Sequence, residues 1–145
     1  MTENGNMKKK ALPVYLVSAC LMGLKTRYDG QVKPCPRCRA ELGGAVWIPV
    51  CPEQLGGLAT PRVAADLTGG NGRDVLDGLA RVITREGDDV TGQFIEGARQ
   101  VLAIARAQPV SGIFLKSKSP SCGVHSVLGV TAALLKEHGF LIREF

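Results

Sequence analysis

The sequence predicts an α/β fold: a single compact domain with a mostly parallel sheet and helices packed on it, in a Rossmann-like three-layer arrangement. Two observations carry this prediction. Short apolar runs that suit buried strands alternate with longer segments of helical periodicity. The chain has 145 residues and is 45% apolar, enough for one core of its own but not for two. We therefore expect residues 11–145 to form one α/β domain.

The polar residues 1–10 lack periodicity, and we expect them to be a disordered leader. A short basic run, an apolar run and then Cys20 resemble the end of a bacterial lipoprotein signal. The apolar core at residues 11–18 is short, however, and Pro13 interrupts it. Residues 21–24 are also apolar, whereas a lipidated cysteine precedes a polar tether. No apolar stretch approaches the roughly 20 residues that span a bilayer, so we expect no transmembrane helix. Five cysteines, an odd number in a chain with enough core to fold without disulfides, favour a reducing compartment. We therefore expect a cytoplasmic protein with no membrane partner.

The first half of the chain contains two predicted strands. Val14–Val17 and Val46–Val50 are short apolar runs rich in β-branched residues, which is typical of buried strands. Pro49 weakens the second prediction because it cannot donate a ladder hydrogen bond. Cys20 and Cys51 follow these two runs.

The middle of the chain predicts a helix, a hairpin and a longer helix. The apolar residues of segment 74–80 fall on one helical face. Arg81–Thr84 and the turn at Glu86–Asp88 are typical of a short hairpin. Helical spacing then continues from Thr91 to Gln108, with Thr91 as the expected N-cap and a proline beyond the end.

The last third of the chain repeats the alternation of strand and helix. Ile113–Leu115 is a predicted strand, and the Ser, Pro and Gly residues of "KSKSPSCG" predict a loop. Apolar positions over 127–135 predict a helix that Gly139 ends, followed by a last strand over Phe140–Arg143. Strands separated by helices favour parallel pairing.

Three of the five cysteines follow predicted strands, namely Cys20, Cys51 and Cys122. Parallel strands place their carboxyl ends at one edge of a sheet, so we expect the three thiols to converge there. Thiolates without histidine favour an iron–sulfur cluster or zinc, and three ligands leave one metal position open, as in catalytic sites. Ordinary buried cysteines are the alternative.

The other two cysteines form the C-x-x-C pair Cys35 and Cys38. Such a pair is half of a zinc site, but the only histidines that could complete it are His125 and His138. A redox pair and a loop that merely contains two thiols are the other interpretations. The sequence leaves all three open.

A net charge of +5 and a pI of about 9.1 indicate attraction to anions. A solvated basic surface and a phosphorylated small molecule are both compatible with this charge. Aromatic residues make up only 5% of the chain, and no recognition-helix motif is visible. These features argue against nucleic acid as a partner.

Five segments stand in this order along the chain: "VSACLMGLKTRYDG", "VCPEQLGGLATPR", "GGNGRDVLDG", "FLKSKSPSCG" and "GVTAALL". Their sequences and their order resemble those of the DUF523 family, typified by thiouracil desulfidases. The resemblance implies a [4Fe-4S] cluster held by Cys20, Cys51 and Cys122, with one iron free to take the sulfur of a thiolated pyrimidine. The implied reaction is hydrolysis of a thiouracil, thiouridine or nucleotide to release sulfide.

Two residues are candidates for the chemistry. Glu53, two residues after a ligand cysteine, would take a proton from the attacking water, unless it is an exposed loop residue that caps a helix. Ser119, in the loop before Cys122, would position the water or the pyrimidine, and Lys116 would anchor a phosphate or oxygen. The rival function is a regulatory module that binds zinc or a cluster without catalysis.

Overall fold

The structure is a computed structural model that describes residues 11–145, so the expected leader at residues 1–10 lies outside the described residues. The strands are β1 (Val14–Ser18), β2 (Val46–Val50), β3 (Ala65–Thr68), β4 (Arg81–Thr84), β5 (Gly112–Leu115) and β6 (Ile142–Glu144). The helices are α1 (Pro36–Glu41), α2 (Pro52–Leu55), α3 (Gly72–Leu76), α4 (Thr91–Arg106) and α5 (Val130–Glu137), with a 3₁₀ turn over Ala19–Met22.

The main sheet has four strands in the order β2-β1-β5-β6, and every neighbouring pair is parallel. The predicted α/β class with a mostly parallel sheet is therefore confirmed, whereas the Rossmann-like three-layer arrangement stays a prediction. The chain runs from β1 to β2 on one side and later returns to β5 on the other side of β1. Such a reversal of strand order opens a crevice at the carboxyl ends of the strands.

The two faces of the sheet contribute to different parts of the core because side chains alternate along each strand. On one face, Leu16 belongs to a buried cluster with Val101 of α4 and Leu135 of α5. On the other face, its neighbour Val17 belongs to a cluster with Cys38 of α1 and residues of the 3₁₀ turn. No helix in the part of the chain that the structure describes is both long and apolar enough to cross a membrane.

The predicted turn after Arg81–Thr84 is present, but the main ladder of β4 is formed with another strand. Across the turn there is an isolated antiparallel bridge between Ile83 and Asp89, with backbone hydrogen bonds from the Thr84 N–H to the Asp88 carbonyl and from the Val90 N–H to the Val82 carbonyl. Strand β4 pairs over its full length with β3, which lies upstream and antiparallel to it. The chain turns into α4 immediately, since the Asp89 carboxylate accepts a hydrogen bond from the Thr91 N–H at 2.9 Å. Thr91 is consequently the first helical residue rather than the N-cap, which is Val90. The Thr91 hydroxyl instead accepts a hydrogen bond from the Val82 N–H.

The short helix α2 lies directly against α4 through two glycines. A Cβ atom at Gly97 of α4 would overlap the carbonyl oxygen of Pro52, and one at Gly56 would overlap that of Gln93. This backbone-to-backbone contact places the first turn of α2, which carries Glu53, at a fixed distance from the core.

We expect Gly97→Ala to lower the free energy of unfolding by about 1–3 kcal/mol, because the added methyl group must push two backbones apart. Gly92→Ala, in the same helix, is the matched control. Nothing lies within 4 Å of a Cβ at Gly92, so the better helix propensity of alanine should leave stability unchanged or slightly raised. Chemical denaturation of both variants checks this, and equal stability of the two would show that α2 can move freely.

Candidate functional site

A cavity of about 340 Å³ opens at the carboxyl ends of the main-sheet strands. Cys20, Cys51 and Cys122 all line this cavity, as do Glu53 and Ser119. The structure thus brings together the three cysteines that follow predicted strands and both residues expected to take part in the chemistry.

Each of the three cysteines is presented by a different connection. Cys20 lies in the 3₁₀ turn after β1, and Cys51 is the N-cap of α2 directly after β2. Cys122 follows β5 in the predicted loop, where it is buried, while the other two are partly exposed. All three thiols are free.

Burial governs the acidity of two of these thiols. It raises the pKa of Cys122 to about 12, while the nearby hydroxyl groups of Ser18 and Ser121 act in the opposite direction. Burial and then the neighbouring Cys51 raise the pKa of Cys20, while the positive charges of Lys116 and Arg27 act in the opposite direction. Both thiols are therefore weaker acids than a free cysteine, and metal binding, which requires the thiolate, would release their protons.

The chemistry of the donor set is compatible with an iron–sulfur cluster, whose ligands are cysteine thiolates. Within residues 11–145, no group of three or more His, Cys, Asp or Glu side chains is placed to hold one metal ion. A cluster is less restrictive, because each cysteine binds a different iron and the thiols need not crowd around one point. Three free thiols around a single cavity, with no histidine in its lining, match that requirement.

Glu53 is held by two hydrogen bonds at the cavity wall. Its Oε1 accepts a hydrogen bond from Nε of Arg62 at 2.8 Å, and its Oε2 accepts one from the Ser121 hydroxyl at 3.1 Å. The Glu53 side chain is only 14% exposed, which excludes the interpretation as an exposed loop glutamate. Both oxygens keep a lone pair, so the carboxylate can still accept a proton.

Arg62 is the central residue of the wall, and sequence reasoning assigned it no role. Besides Glu53, its guanidinium donates to the Thr60 hydroxyl at 2.8 Å and to the Thr26 carbonyl at 2.9 Å, and it lies 3.9 Å from Sγ of Cys51. Its side chain is 9% exposed. One indication of its role was present in the sequence: Arg62 belongs to the segment "VCPEQLGGLATPR", which also contains Cys51 and Glu53.

Ser119 organises the loop that carries Cys122. Its hydroxyl oxygen accepts hydrogen bonds from the backbone N–H groups of Ser121, at 3.2 Å, and Cys122, at 3.1 Å. It also lies 3.0 Å from the Ser121 hydroxyl, which donates to Glu53. Ser119, Ser121 and Glu53 therefore form one chain of hydrogen bonds along the wall.

Glu144, the last residue of β6, and Phe145, the residue after it, hold the two ends of this loop, which we call the Cys122 loop (residues 116–125). At one end the Ser117 N–H donates to the Phe145 carbonyl at 2.7 Å. At the other end the Glu144 carboxylate accepts hydrogen bonds from the backbone N–H groups of Val124, at 2.7 Å, and His125, at 3.2 Å. Burial opposes the charge of Glu144, but these two bonds hold the pKa of its carboxyl below its usual value.

The cavity lining is predominantly basic. Arg27, Arg85, Lys116 and Lys118 line it in addition to Arg62. Arg27 pairs with Asp29, and Arg85 pairs with Asp66. The Lys116 ammonium group donates a hydrogen bond to the Ser117 hydroxyl at 3.3 Å, and no carboxylate of residues 11–145 forms an ion pair with Lys116 or Lys118.

Cys35 and Cys38 do not line the cavity. They stand at the start of α1, where Cys35 is the N-cap and Pro36 the first helical residue. His125 and His138 do not complete a zinc site with the two cysteines. Within residues 11–145, no three His, Cys, Asp or Glu side chains are grouped so that they could hold one metal ion. The zinc interpretation therefore lacks its remaining ligands in the described chain.

Comparison with known proteins gives three consistent matches. The sequence profile of the 2-thiouracil desulfurase family matches residues 15–144. The uncharacterized protein YbbK of Bacillus subtilis (strain 168) is 40% identical over 139 residues, which cover 88% of this chain and 92% of that protein. A solved structure of the [4Fe-4S]-dependent thiouracil desulfidase TudS superposes with a TM-score of 0.69 at 35% identity, covering 91% of this chain and 90% of the other.

Proposed function

The chain belongs to the 2-thiouracil desulfurase family, and from this membership we propose that it is a [4Fe-4S]-dependent desulfidase that releases sulfide from a thiolated pyrimidine by hydrolysis. One observation carries the proposal. A single cavity is lined by three free cysteines from three strand ends and by a carboxylate held in place by two hydrogen bonds. This combines a donor set for a soft metal cluster with a group that can accept a proton from water.

Cys20, Cys51 and Cys122 would hold the cluster. When bound, the cluster would supply a soft metal position that can accept a thiocarbonyl sulfur, since sulfur is a soft donor. The likeness to a [4Fe-4S]-dependent enzyme supports this cofactor. The buried Leu21 and Met22 directly after Cys20 support a site role for that cysteine over a lipid anchor. We propose that the protein is located in the cytoplasm, because all five cysteines are free thiols and the cytoplasm is a reducing compartment.

The protein's own contribution is general base catalysis. The overall reaction exchanges C=S for C=O: one water molecule enters and one hydrogen sulfide leaves, with no net oxidation or reduction. Glu53 would take a proton from the attacking water, while Arg62 and Ser121 keep its carboxylate directed at the cavity. Ser119 would act by holding Ser121 in place and by positioning the water or the pyrimidine.

The basic lining supports a phosphorylated thiopyrimidine as the substrate. Lys116 and Lys118 lie on the Cys122 loop, on the same cavity wall as Ser119. A phosphate group there would gain two positive charges that no carboxylate of residues 11–145 neutralises. We propose a small molecule, a thiouracil nucleotide in preference to the free base, and no nucleic-acid partner.

Anaerobic reconstitution tests the function. The reconstituted protein should contain iron and acid-labile sulfide in roughly equal amounts, and it should convert 2-thiouracil or 4-thiouridine monophosphate to the oxo compound with release of one sulfide per product. Product is measured by chromatography and sulfide by a colorimetric assay. Zinc as the sole bound metal, with no turnover of either compound, would instead support the regulatory module.

Arg62→Gln should lower kcat by about 10–100-fold, the usual effect of losing a residue that orients a reacting group. The variant removes the cation beside Glu53 and the contacts to Thr60 and Thr26, so KM should change less than kcat. Arg85→Gln is the matched control, since Arg85 lines the same cavity but its side chain is 67% exposed. If both variants lose activity equally, Arg62 serves only as part of the positive field of the cavity.

A further inference from the structure

Cys35 and Cys38, the C-x-x-C pair, lie on the face of the main sheet opposite to α4 and α5. Cys35 is the N-cap of α1 and Cys38 is its third helical residue. Side chains at these two positions meet across the first turn of a helix, which is why capping boxes use the same pair of positions. No side-chain hydrogen bond caps the helix at Cys35, so its thiol is not committed to the backbone.

The two thiols differ in exposure. Cys38 has no exposed surface and belongs to the buried cluster that contains Val17 and Phe145. Cys35 packs against the edge of the same cluster and remains partly exposed. One accessible thiol with a buried thiol beside it is the arrangement that thiol–disulfide exchange requires, because the first sulfur meets the external reagent and the second resolves the intermediate.

The surroundings favour exchange over passive packing. Burial, and then the neighbouring Cys35, raises the pKa of Cys38 to about 11, which suits Cys38 to react second, after Cys35. The guanidinium groups of Arg37 and Arg143 both stack over the Phe145 ring, within 5.1 Å of its centroid, and place positive charge at this edge. The Cys35 N–H donates to the Leu21 carbonyl at 2.8 Å, which fixes the backbone of the accessible cysteine.

We propose that Cys35 and Cys38 form a reversible dithiol–disulfide site that exchanges with low-molecular-weight disulfides and is separate from the three thiols of the cavity. Cys35 gives its proton to solvent, and its thiolate attacks one sulfur of the external disulfide to form a mixed disulfide. The first external sulfur leaves as a thiolate and takes up a proton from solvent to become a thiol. Cys38 then loses its proton and attacks the Cys35 sulfur, which closes the internal disulfide and releases the second thiol. Two protein thiols are oxidised, and one external disulfide is reduced to two thiols.

The sequence provides a direct assay. Trypsin cleaves after Arg37, between the two cysteines, whereas Pro34 blocks cleavage after Lys33. The cluster-loaded protein is equilibrated anaerobically with mixtures of reduced and oxidised glutathione, alkylated, digested and analysed by mass spectrometry. We expect peptide 28–37 to be joined to peptide 38–39 at oxidising ratios, with the mass of two hydrogen atoms lost, and to separate again after reduction.

Two variants make the test decisive. Cys38→Ala should accumulate a stable glutathione adduct on Cys35, because no second thiol resolves it. Cys35→Ala should leave Cys38 unmodified, since Cys38 is buried. The proposal is overturned if the parent protein accumulates the same adduct as Cys38→Ala, or if both cysteines are still alkylated at the most oxidising ratio. The parent protein decides the question alone if a variant does not fold, and the outcome does not depend on whether thiopyrimidines are substrates.

Discussion

Replacing Glu53 with glutamine is expected to slow turnover of a thiopyrimidine by about 10²–10⁴-fold, the usual contribution of general acid–base catalysis. The amide keeps the size of the carboxyl group and can still accept a hydrogen bond from Arg62, so iron and sulfide content should equal that of the parent protein. The amide cannot take a proton from water. Single-turnover assays with sulfide detection, normalised to iron content, measure the effect.

A second carboxylate of the cavity provides the control for Glu53. Asp66 also lines the cavity, but its side chain is 63% exposed. Within residues 11–145, its one ion pair is with Arg85. Asp66→Asn should therefore retain activity within a few-fold of the parent. If Glu53→Gln with a full cluster behaves in the same way, Glu53 is not the base. Ser119 acting through a bound water is then the next candidate.

Replacing Cys122 with serine is expected to abolish cluster binding and, with it, all desulfidation. A serine hydroxyl is a harder and less acidic donor than a thiol, and the site at Cys122 is buried, which disfavours the charged form further. Cys20→Ser and Cys51→Ser should behave similarly. Iron and acid-labile sulfide analysis after anaerobic reconstitution measures the loss, and circular dichroism verifies that the apo fold persists.

The remaining cysteines supply the matched comparison for Cys122. Cys35→Ser should bind iron and sulfide as the parent protein does, because Cys35 lies outside the cavity lining. Loss of the cluster in Cys35→Ser together with retention in Cys122→Ser would overturn the ligand assignment. Loss in both would indicate that the start of α1 supports the turn that carries Cys20.

Much of the site followed from one regularity of the sequence. Cysteines placed after apolar runs predicted a common edge, and the parallel sheet brings Cys20, Cys51 and Cys122 to one cavity there. Arg62 could not be found this way, since its role depends on a loop that folds back over α2 and on contacts with Thr26, which lies in a distant segment. Sequence periodicity carries no information on such long-range hydrogen bonds.

The errors in predicting the fold from the sequence have local causes. Strand β3 was missed because its sequence, "ADLT", is only four residues long: it alternates apolar and polar residues, but over too short a stretch to be distinguished from the surrounding loop. Helix α1 was missed because its six residues are mostly polar and begin with a proline. Thr91 was assigned as N-cap by residue type, whereas Asp89 supplies the hydrogen bond to the first turn of α4.

The attachment of the Cys122 loop to β6 has a consequence for biogenesis. Ribosomes add about 5–20 residues per second, so Cys51 is made on the order of ten seconds before Glu144 and Phe145, which hold the ends of that loop. During this interval Cys20 and Cys51 have been synthesised, but the two residues that hold the ends of the Cys122 loop have not. If the cluster binds as proposed, its insertion should therefore follow the synthesis of residues 144 and 145, which hold the loop of the third cysteine.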